Sequence, residues 1–541
     1  MNCLFRTDAS LQIGSGHIMR CLTLAESLRQ EGAEVMFACR SHPGNLVGLL
    51  LEKEFEVYQL PLENFEPQGH RKAKPRVTVE DYSDWLGCSQ DEDAQATLNA
   101  IGKTQFDWLI VDHYGLAECW ERQLRTTTQK LMVIDDLANR THDCDLLLDQ
   151  NYFVNGTTRY DELIPPSSLR LLGPKYALLR PEFAEARKKL RPQIGEIQRI
   201  FVFFGGTDTD NLTGLTLESL SDPALEHLEV DVVIGINNPN KDKIEAQVAQ
   251  RPQTTLHVQV SNMASLMAQA DLAIGAGGAT TWERLSLQLP SVVVTIAENQ
   301  HSFTEDLHEQ GLIEWIGDGH SVTVENLRQA LQGYLCSYSN LSEGSLQQEL
   351  VDGEGTARVT NCLCKGISPK DWLIRQATMA DCALYWHWAN DPVVRQQAFS
   401  QEQIQWEDHV SWFEEKVHDE KTMLVLVVSQ LGPVGQVRFE HFQQQAKISY
   451  SIGRAMRGFG LAKHLMKQAI AFFQSHHSLG LYAEVKPTNL KSAKVFEELN
   501  FEEFFRPTDE RKVRFFQLPG ASIKTFTFEQ TLSSEVSSNS Y

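Results

Sequence analysis

The 541-residue sequence is defined first by what it lacks. No uninterrupted apolar run approaches the ~20 residues that span a bilayer, so no membrane partner is expected. The opening MNCLFRTDAS has neither the charged leader nor the apolar stretch of a signal peptide, and a cytoplasmic protein is expected. Positive charge is scarce: 49 Lys and Arg stand against 71 Asp and Glu, a net charge of −22. That balance argues against a general binder of nucleic-acid backbones, but not against a local nucleotide pocket. Ten cysteines are scattered at 3, 21, 39, 88, 119, 144, 336, 362, 364 and 382, with no CxxC pair. Such spacing is no zinc framework; free thiols in or near cores, and no metal, are expected. No short-period repeat occurs.

What is present is globular. The length suggests about three domains. Hydrophobic residues make up 42% and charged residues 22%, as in soluble proteins. Up to about residue 190, strand-like runs (NCLFRT, EVMFACR, FDWLIVDHYG, KLMVIDDLA) alternate with helical ones. The spacing of Ile18, Leu22, Ala25 and Leu28 predicts a helix over 16–31. Apolar strands ending in carboxylates and turns are those of a buried parallel sheet. From 198 the plan repeats with RIFVFFGGTDTDN, EVDVVIGINNPN, DLAIGAGGATTWERL and PSVVVTIAENQHS. A third block is rich in Trp and Phe, with paired strands predicted to turn at Gly432-Pro433. The expected fold is α/β: two doubly wound Rossmann-like domains at 1–195 and 196–365, an α/β domain at 372–520, and a disordered tail at 521–541.

In IGSGHIMRCLTLAESL a glycine turn runs into a histidine at a helix start. The positive end of the helix dipole disfavours imidazolium at His17, and a neutral ring serves as a general base. Gly14 and Gly16 let a ligand approach the backbone. A structural histidine capping a loop is the competing reading. GSGH also lacks the third glycine of GxGxxG. In GAGGATTWE, Gly277 and Gly278 open backbone N–H groups toward a pyrophosphate. Thr280 and Thr281 add hydroxyls, and Glu283, one turn into the helix, suits ribose hydroxyls. Asn299 and Gln300 of AENQ reach the same edge, and Gly205-Gly206 opens the corresponding turn of FFGGTDTDN. Plain packing glycines would explain the same pattern. Asp135 and Asp136 read as turn or helix caps before a catalytic pair.

FRTDASLQIGSGHIMRCLTLA, VDHYG, VIDDLANR, GPKYALLRPEF, FFGGTDTDN and GAGGATTWERL…LPSVVVTIAENQ together resemble the UDP-sugar hydrolases of pseudaminic acid biosynthesis. The resemblance covers about residues 1–360. It implies a glycosyltransferase-B-like arrangement and hydrolysis of UDP-2,4-diacetamido-2,4,6-trideoxy-β-L-altropyranose without a metal. It also implies that His17 activates the water attacking the anomeric carbon, with inversion. Glu283 and the Gly277-Gly278 loop match the UDP-holding region. Arg20, Asp112, Tyr114 and Asn151 match polar positions lining the sugar side.

ISYSIGRAMRGFGLAKHLMKQAIAFF places a glycine loop before a helix with an apolar face of Leu461, Leu465, Ala469 and Phe472. With LGLYAEVKPTN and LKSAKVFEELNF it resembles GNAT-type N-acetyltransferases. That resemblance implies acetyl-CoA as donor, its pyrophosphate held by Arg457, Gly458, Phe459, Gly460, Leu461 and Ala462, with Asn489 helping. LIRQATMADCALYWHWANDPVVRQQAF fits the subgroup that acetylates the C4 amine of UDP-4-amino-sugars. The sequence departs from the pattern at Phe496, where many members carry a proton-donating tyrosine, and at Asn500, where glycine is usual. Glu440 and His441 are candidate bases, and Trp372, Trp386, Trp388, Trp406 and Trp412 are expected mostly in the core. The whole reads as a bifunctional enzyme, acetylation preceding hydrolysis, with a UDP-amino-sugar as substrate and room for association with other enzymes of the pathway. The rivals are a UDP-sugar glycosyltransferase and a UDP-sugar-binding regulator.

Overall fold

A computed structural model of the chain describes residues 1–62, 82–190, 196–337, 350–504 and 513–518. The expected tail at 521–541 lies outside the described residues. The chain divides into two compact units: Met1–Leu163 with Leu171–Cys364, and Ile164–Arg170 with the chain from Lys365 onward. The seven-residue segment joins the second unit through the Arg170 amide, which donates to the Leu431 carbonyl at 2.8 Å.

The first unit holds two Rossmann-like sheets. The first is built from β1 (Asn2–Thr7), β2 (Glu34–Arg40), β3 (Glu56–Leu60), β4 (Phe106–Asp112), β5 (Thr128–Ile134), β6 (Leu146–Asp149) and β7 (Leu169–Leu172), ordered 3-2-1-4-5-6-7. The second is built from β8 (Arg199–Phe203), β9 (Glu229–Ile234), β10 (Thr254–Val258), β11 (Leu272–Ala276), β12 (Ser291–Thr295) and β13 (Glu314–Asp318), ordered 10-9-8-11-12-13. Its neighbours all pair in parallel. Both faces are covered, which is why its strands read as unbroken apolar runs. Ile200 and Val202 of β8 enter one core and Phe201 the opposite one.

In both sheets the chain reverses its direction of travel beside the first strand, between β1 and β4 and between β8 and β11. The carboxyl ends of such strands form a crevice. The GSGH turn leaves β1 there, Asp112 ends β4, Gly205-Gly206 follows β8 and Gly277-Gly278 follows β11. The predicted first helix is Gly16–Gln30, with Ile18, Leu22, Ala25 and Leu28 all buried.

The second unit is a mixed sheet of β14 (Leu373–Gln376), β15 (Thr422–Ser429), β16 (Gly432–Phe442), β17 (Gln445–Ile452), β18 (Gly480–Val485), β19 (Glu502–Phe504) and β20 (Arg514–Leu518), ordered 14-15-16-17-18-20-19. The hairpin turn falls at Gln430-Leu431, two residues before the expected place. Gly432 and Pro433 instead begin β16, facing Ser429 and Val428 of β15. Only β17 and β18 pair in parallel, and only over Gln445–Lys447 with Gly480–Tyr482. Beyond those residues β17 continues against β16 and β18 against β20, so the two strands part and leave a wedge. Helix Ala462–Gln474 buries Leu465, Ala469 and Phe473; Phe472, expected on that face, is half-buried one position aside. Of the five tryptophans expected mostly in the core, Trp388 alone is fully buried. Trp406 is exposed and packs edge-on against half-buried Trp386.

Candidate functional sites

The turn between β1 and the first helix is tied by Ser10. Its hydroxyl accepts from the amides of Gln12 at 3.1 Å and Ile13 at 2.9 Å, and its carbonyl accepts from Gly14 at 2.9 Å. Gly14 sits at φ +77°, a left-handed conformation that favours glycine. A Cβ placed on Gly14 or Gly16 would meet nothing within 4 Å, so the backbone is open to a ligand there.

His17 follows in the first helical turn, almost buried. Its Nδ1 lies 2.6 Å from Asp112 Oδ1, across 95 residues of sequence. A carboxylate at that distance accepts a hydrogen bond from Nδ1–H, which leaves Nε2 as the ring nitrogen with a lone pair to offer. Among the described residues no hydrogen bond occupies Nε2. Arg20, one turn along the helix, grips the same carboxylate twice, Nε to Oδ2 and Nη2 to Oδ1, each at 2.7 Å. Burial pushes the Asp112 carboxyl up, but Arg20 and His17 hold it well below the usual carboxylate range. Asp112 therefore stays anionic beneath His17. It is fully buried with both oxygens engaged, so it positions the ring and does not line the cleft as expected.

The network continues outward. Arg20 Nη1 donates to Asp136 Oδ2 at 3.2 Å, and the Tyr114 hydroxyl donates to Asp136 Oδ1 at 2.6 Å. Burial, then the Asp136 charge, raises the Tyr114 phenol well above its ordinary value, so it remains a donor. Asn299 Nδ2, from the second sheet, donates to the Tyr114 oxygen at 3.0 Å. One hydrogen-bonded chain thus runs from the AENQ turn to His17.

The Tyr114 ring meets His17 edge-on at 4.6 Å, Trp85 stacks on Tyr114 at 5.5 Å, and Tyr82 closes the cluster. Sequence points to Tyr114 but not to Tyr82 or Trp85, and it reads Asp136 as a cap. The turn-cap reading holds for Asp135, which accepts from the Ala138 amide and the Tyr160 hydroxyl and pairs with Arg140. Asp136 instead belongs to the histidine network.

On the second sheet, Gly205 takes φ +98° with open space around it and around Gly206. The helix that follows is not free for an anion. Asp208 accepts from the Leu212 and Thr213 amides at 2.9 Å each and fills that N-terminus. Beside the Gly277-Gly278 turn, Gln300 accepts from the Ile296 amide at 2.9 Å. The Thr280 and Thr281 hydroxyls accept from Arg284 at 3.3 and 3.0 Å. Glu283 faces Arg180 at 3.4 Å; burial raises its carboxyl against that opposing charge. Asn151 Oδ1 accepts from Trp282 Nε1 at 3.2 Å, a link between the two sheets' layers rather than an open sugar contact.

The two glycines predict opposite behaviour. A Cβ on Gly277 would meet Thr304 Oγ1 at 2.9 Å, whereas on Gly278 the nearest atom is Gln300 Nε2 at 3.6 Å. Gly277→Ala is expected to cost about 1–3 kcal/mol of stability through overpacking. Gly278→Ala should fold normally and, if the turn holds a nucleotide as the resemblance implies, lose only UDP affinity, as read by urea melts and UDP titration.

In the second unit, Gly458 at φ +89° and Gly460 at φ +71° lead into helix Ala462–Gln474, with Leu461 as its N-cap residue. Both glycines are surrounded by open space. The Phe459 ring packs over Gly366. The Arg457 side chain braces the loop from within: Nη1 donates to Asp391 at 2.8 Å and Nε to the Ile452 carbonyl at 3.0 Å. Asp391 also holds Arg454 and caps helix Pro392–Gln397. If the loop holds acetyl-CoA as the resemblance implies, Asp391→Ala should loosen it and raise the KM for acetyl-CoA about tenfold, or ~1.4 kcal/mol. Asn489 caps helix Leu490–Glu498, accepting from the Ser492 amide at 3.1 Å. Phe496 is buried against Phe501 and Phe516. Asn500 takes the φ of +63° for which glycine is usual after a helix. Glu440 and His441 pair with Lys447 and Ala446, at the closed end of the wedge.

Two Rossmann-like sheets around a histidine–carboxylate centre, followed by a split sheet with a glycine loop, define a two-centre enzyme fold. Comparison with known proteins agrees. Residues 199–351 match the glycosyltransferase family 28 C-terminal domain, and residues 372–502 match the acetyltransferase (GNAT) domain. An uncharacterized protein of Methanocaldococcus jannaschii is 24% identical over 510 residues, 92% of this chain and 95% of that protein. The UDP-2,4-diacetamido-2,4,6-trideoxy-beta-L-altropyranose hydrolase of Campylobacter jejuni is 27% identical over 312 residues, 58% of this chain and 97% of that enzyme. Spore coat polysaccharide biosynthesis protein SpsG of Bacillus subtilis is 25% identical over 367 residues, 66% of this chain and 96% of that protein. The chain is thus an enzyme related to a UDP-sugar hydrolase that also carries an acetyltransferase domain.

Proposed function

We propose that the first unit hydrolyses a UDP-linked 2,4-diacetamido-2,4,6-trideoxy sugar, and that the second acetylates the C4 amine of its precursor with acetyl-CoA. The observation that carries the hydrolase reading is the His17–Asp112 pair, with Nε2 left as the basic atom beside the open Gly14–Gly16 backbone. Asp112 holds the Nδ1 proton and the ring orientation. Nε2 takes a proton from water as the oxygen attacks the anomeric carbon. The C1–O bond breaks and its electrons leave on the UDP β-phosphate. The Gly277 amide is spent on the Val294 carbonyl at 3.0 Å, so within that turn the Gly278 amide is the one left to stabilise the charge.

The amine must be acylated before the diacetamido sugar exists, so the two reactions are consecutive. Carrying both centres on one chain raises the local concentration of the shared intermediate. The test is UDP release from the diacetamido UDP-sugar without any acceptor. Release at the full rate supports hydrolysis. Release only when a sugar acceptor is added makes the protein a glycosyltransferase, and binding without turnover makes it a regulator.

A further inference from the structure

Acyl transfer from a thioester to an amine expels a thiolate that must take up a proton. Phe496, which packs against the wedge from helix Leu490–Glu498, has none to give. We propose that Tyr450 is the acid that protonates the coenzyme A thiolate; this rests on the acetyltransferase reading above.

The placement comes from the splay of the sheet. Lys447 is the last residue of β17 paired with β18, and Tyr450 stands three residues further on, where the strands have parted. From that lip it reaches the other. Its ring meets Phe496 edge-on at 6.0 Å, and its oxygen accepts from Ser492 Oγ at 3.3 Å. Phe496 and Ser492 both lie on helix Leu490–Glu498, which follows β18. The phenol therefore bridges the opening next to the Asn489 cap. Because Ser492 donates to the Tyr450 oxygen, the Tyr450 proton is left to give, and the same hydroxyl steadies the phenolate once formed. Burial raises the phenol above its ordinary value, which keeps it protonated at neutral pH.

The step balances without a further reactant. The amine lone pair forms the C–N bond at the acetyl carbonyl, whose π electrons move to oxygen. The C=O re-forms, the C–S bond breaks, and its electron pair stays on sulfur. Sulfur takes the Tyr450 proton. The nitrogen loses one proton to solvent, and the phenolate regains one from solvent.

The experiment uses the full chain, acetyl-CoA and the UDP-4-amino-sugar, following thioester loss. Tyr450→Phe is expected to lower kcat by about 10²–10⁴-fold, the span of general acid catalysis, with the coenzyme A Kd within twofold of the native value. The native kcat should fall at alkaline pH as the phenol ionises, and Tyr450→Phe should lose that fall. A fluorotyrosine at 450 keeps the ring packing and should move the fall to lower pH. It serves as the deciding variant if Tyr450→Phe does not fold. A Tyr450→Phe kcat within threefold of native, or an alkaline limb that fluorotyrosine does not move, overturns the assignment of Tyr450 alone. A native chain that releases UDP but transfers no acetyl group overturns the acetyltransferase reading, and Tyr450's role with it.

Discussion

His17→Ala is expected to release UDP about 10²–10⁴-fold more slowly than the native chain and to bind UDP with unchanged affinity. The loss is expected in kcat because, in the proposed mechanism, Nε2 acts only once water attacks and the nucleotide is held by the second sheet. Asp112→Asn should lose activity by a similar factor with His17 still in place. An amide in that position donates as well as accepts, and it no longer fixes the proton on Nδ1. Steady-state rates and UDP calorimetry on both variants provide the check. If His17→Ala retains its rate, the ring is a structural cap. If it loses UDP binding in parallel, the ring serves the nucleotide and not the water.

Arg20→Met is expected to destabilise the first unit by about 3–5 kcal/mol, because it leaves the buried Asp112 carboxylate without its cation. The pH dependence gives a second signature. In the native chain the Asp112 value is depressed, so its stabilisation is fully present above the unfolded carboxylate value of about 3.9 and is lost as pH falls below it. Without Arg20, burial dominates and raises the folded value. The variant should then lose stability as pH rises through the unfolded value, opposite in sign to the native chain. Urea melts across acidic and neutral pH read both effects. A variant as stable as the native chain at neutral pH would mean that water already compensates Asp112.

What the sequence shows well is local. The glycine–histidine junction, the apolar face of Gly16–Gln30 and the Gly458–Gly460 loop each arise within a few neighbouring residues, where helix period and backbone freedom decide the outcome. Partnerships between strand ends were not legible. His17 meets Asp112 only because β4 lies beside β1, and Tyr114 meets Asn299 across 185 residues only because the second sheet faces the first. Adjacent Asp135 and Asp136 look alike in sequence, yet their side chains diverge, one closing a turn and the other joining the histidine network. Asp208 shows the converse. A glycine turn before a helix reads as an anion site until a side chain of the same loop is seen filling it.

In the proposed mechanism His17 directs water to the anomeric carbon. The most direct measurement is turnover of the diacetamido UDP-sugar in ¹⁸O-labelled water, without acceptor, followed by mass spectrometry of both products. One heavy oxygen is expected in the free sugar and none in UDP. Label in the UDP phosphate would place the attack at phosphorus and contradict it.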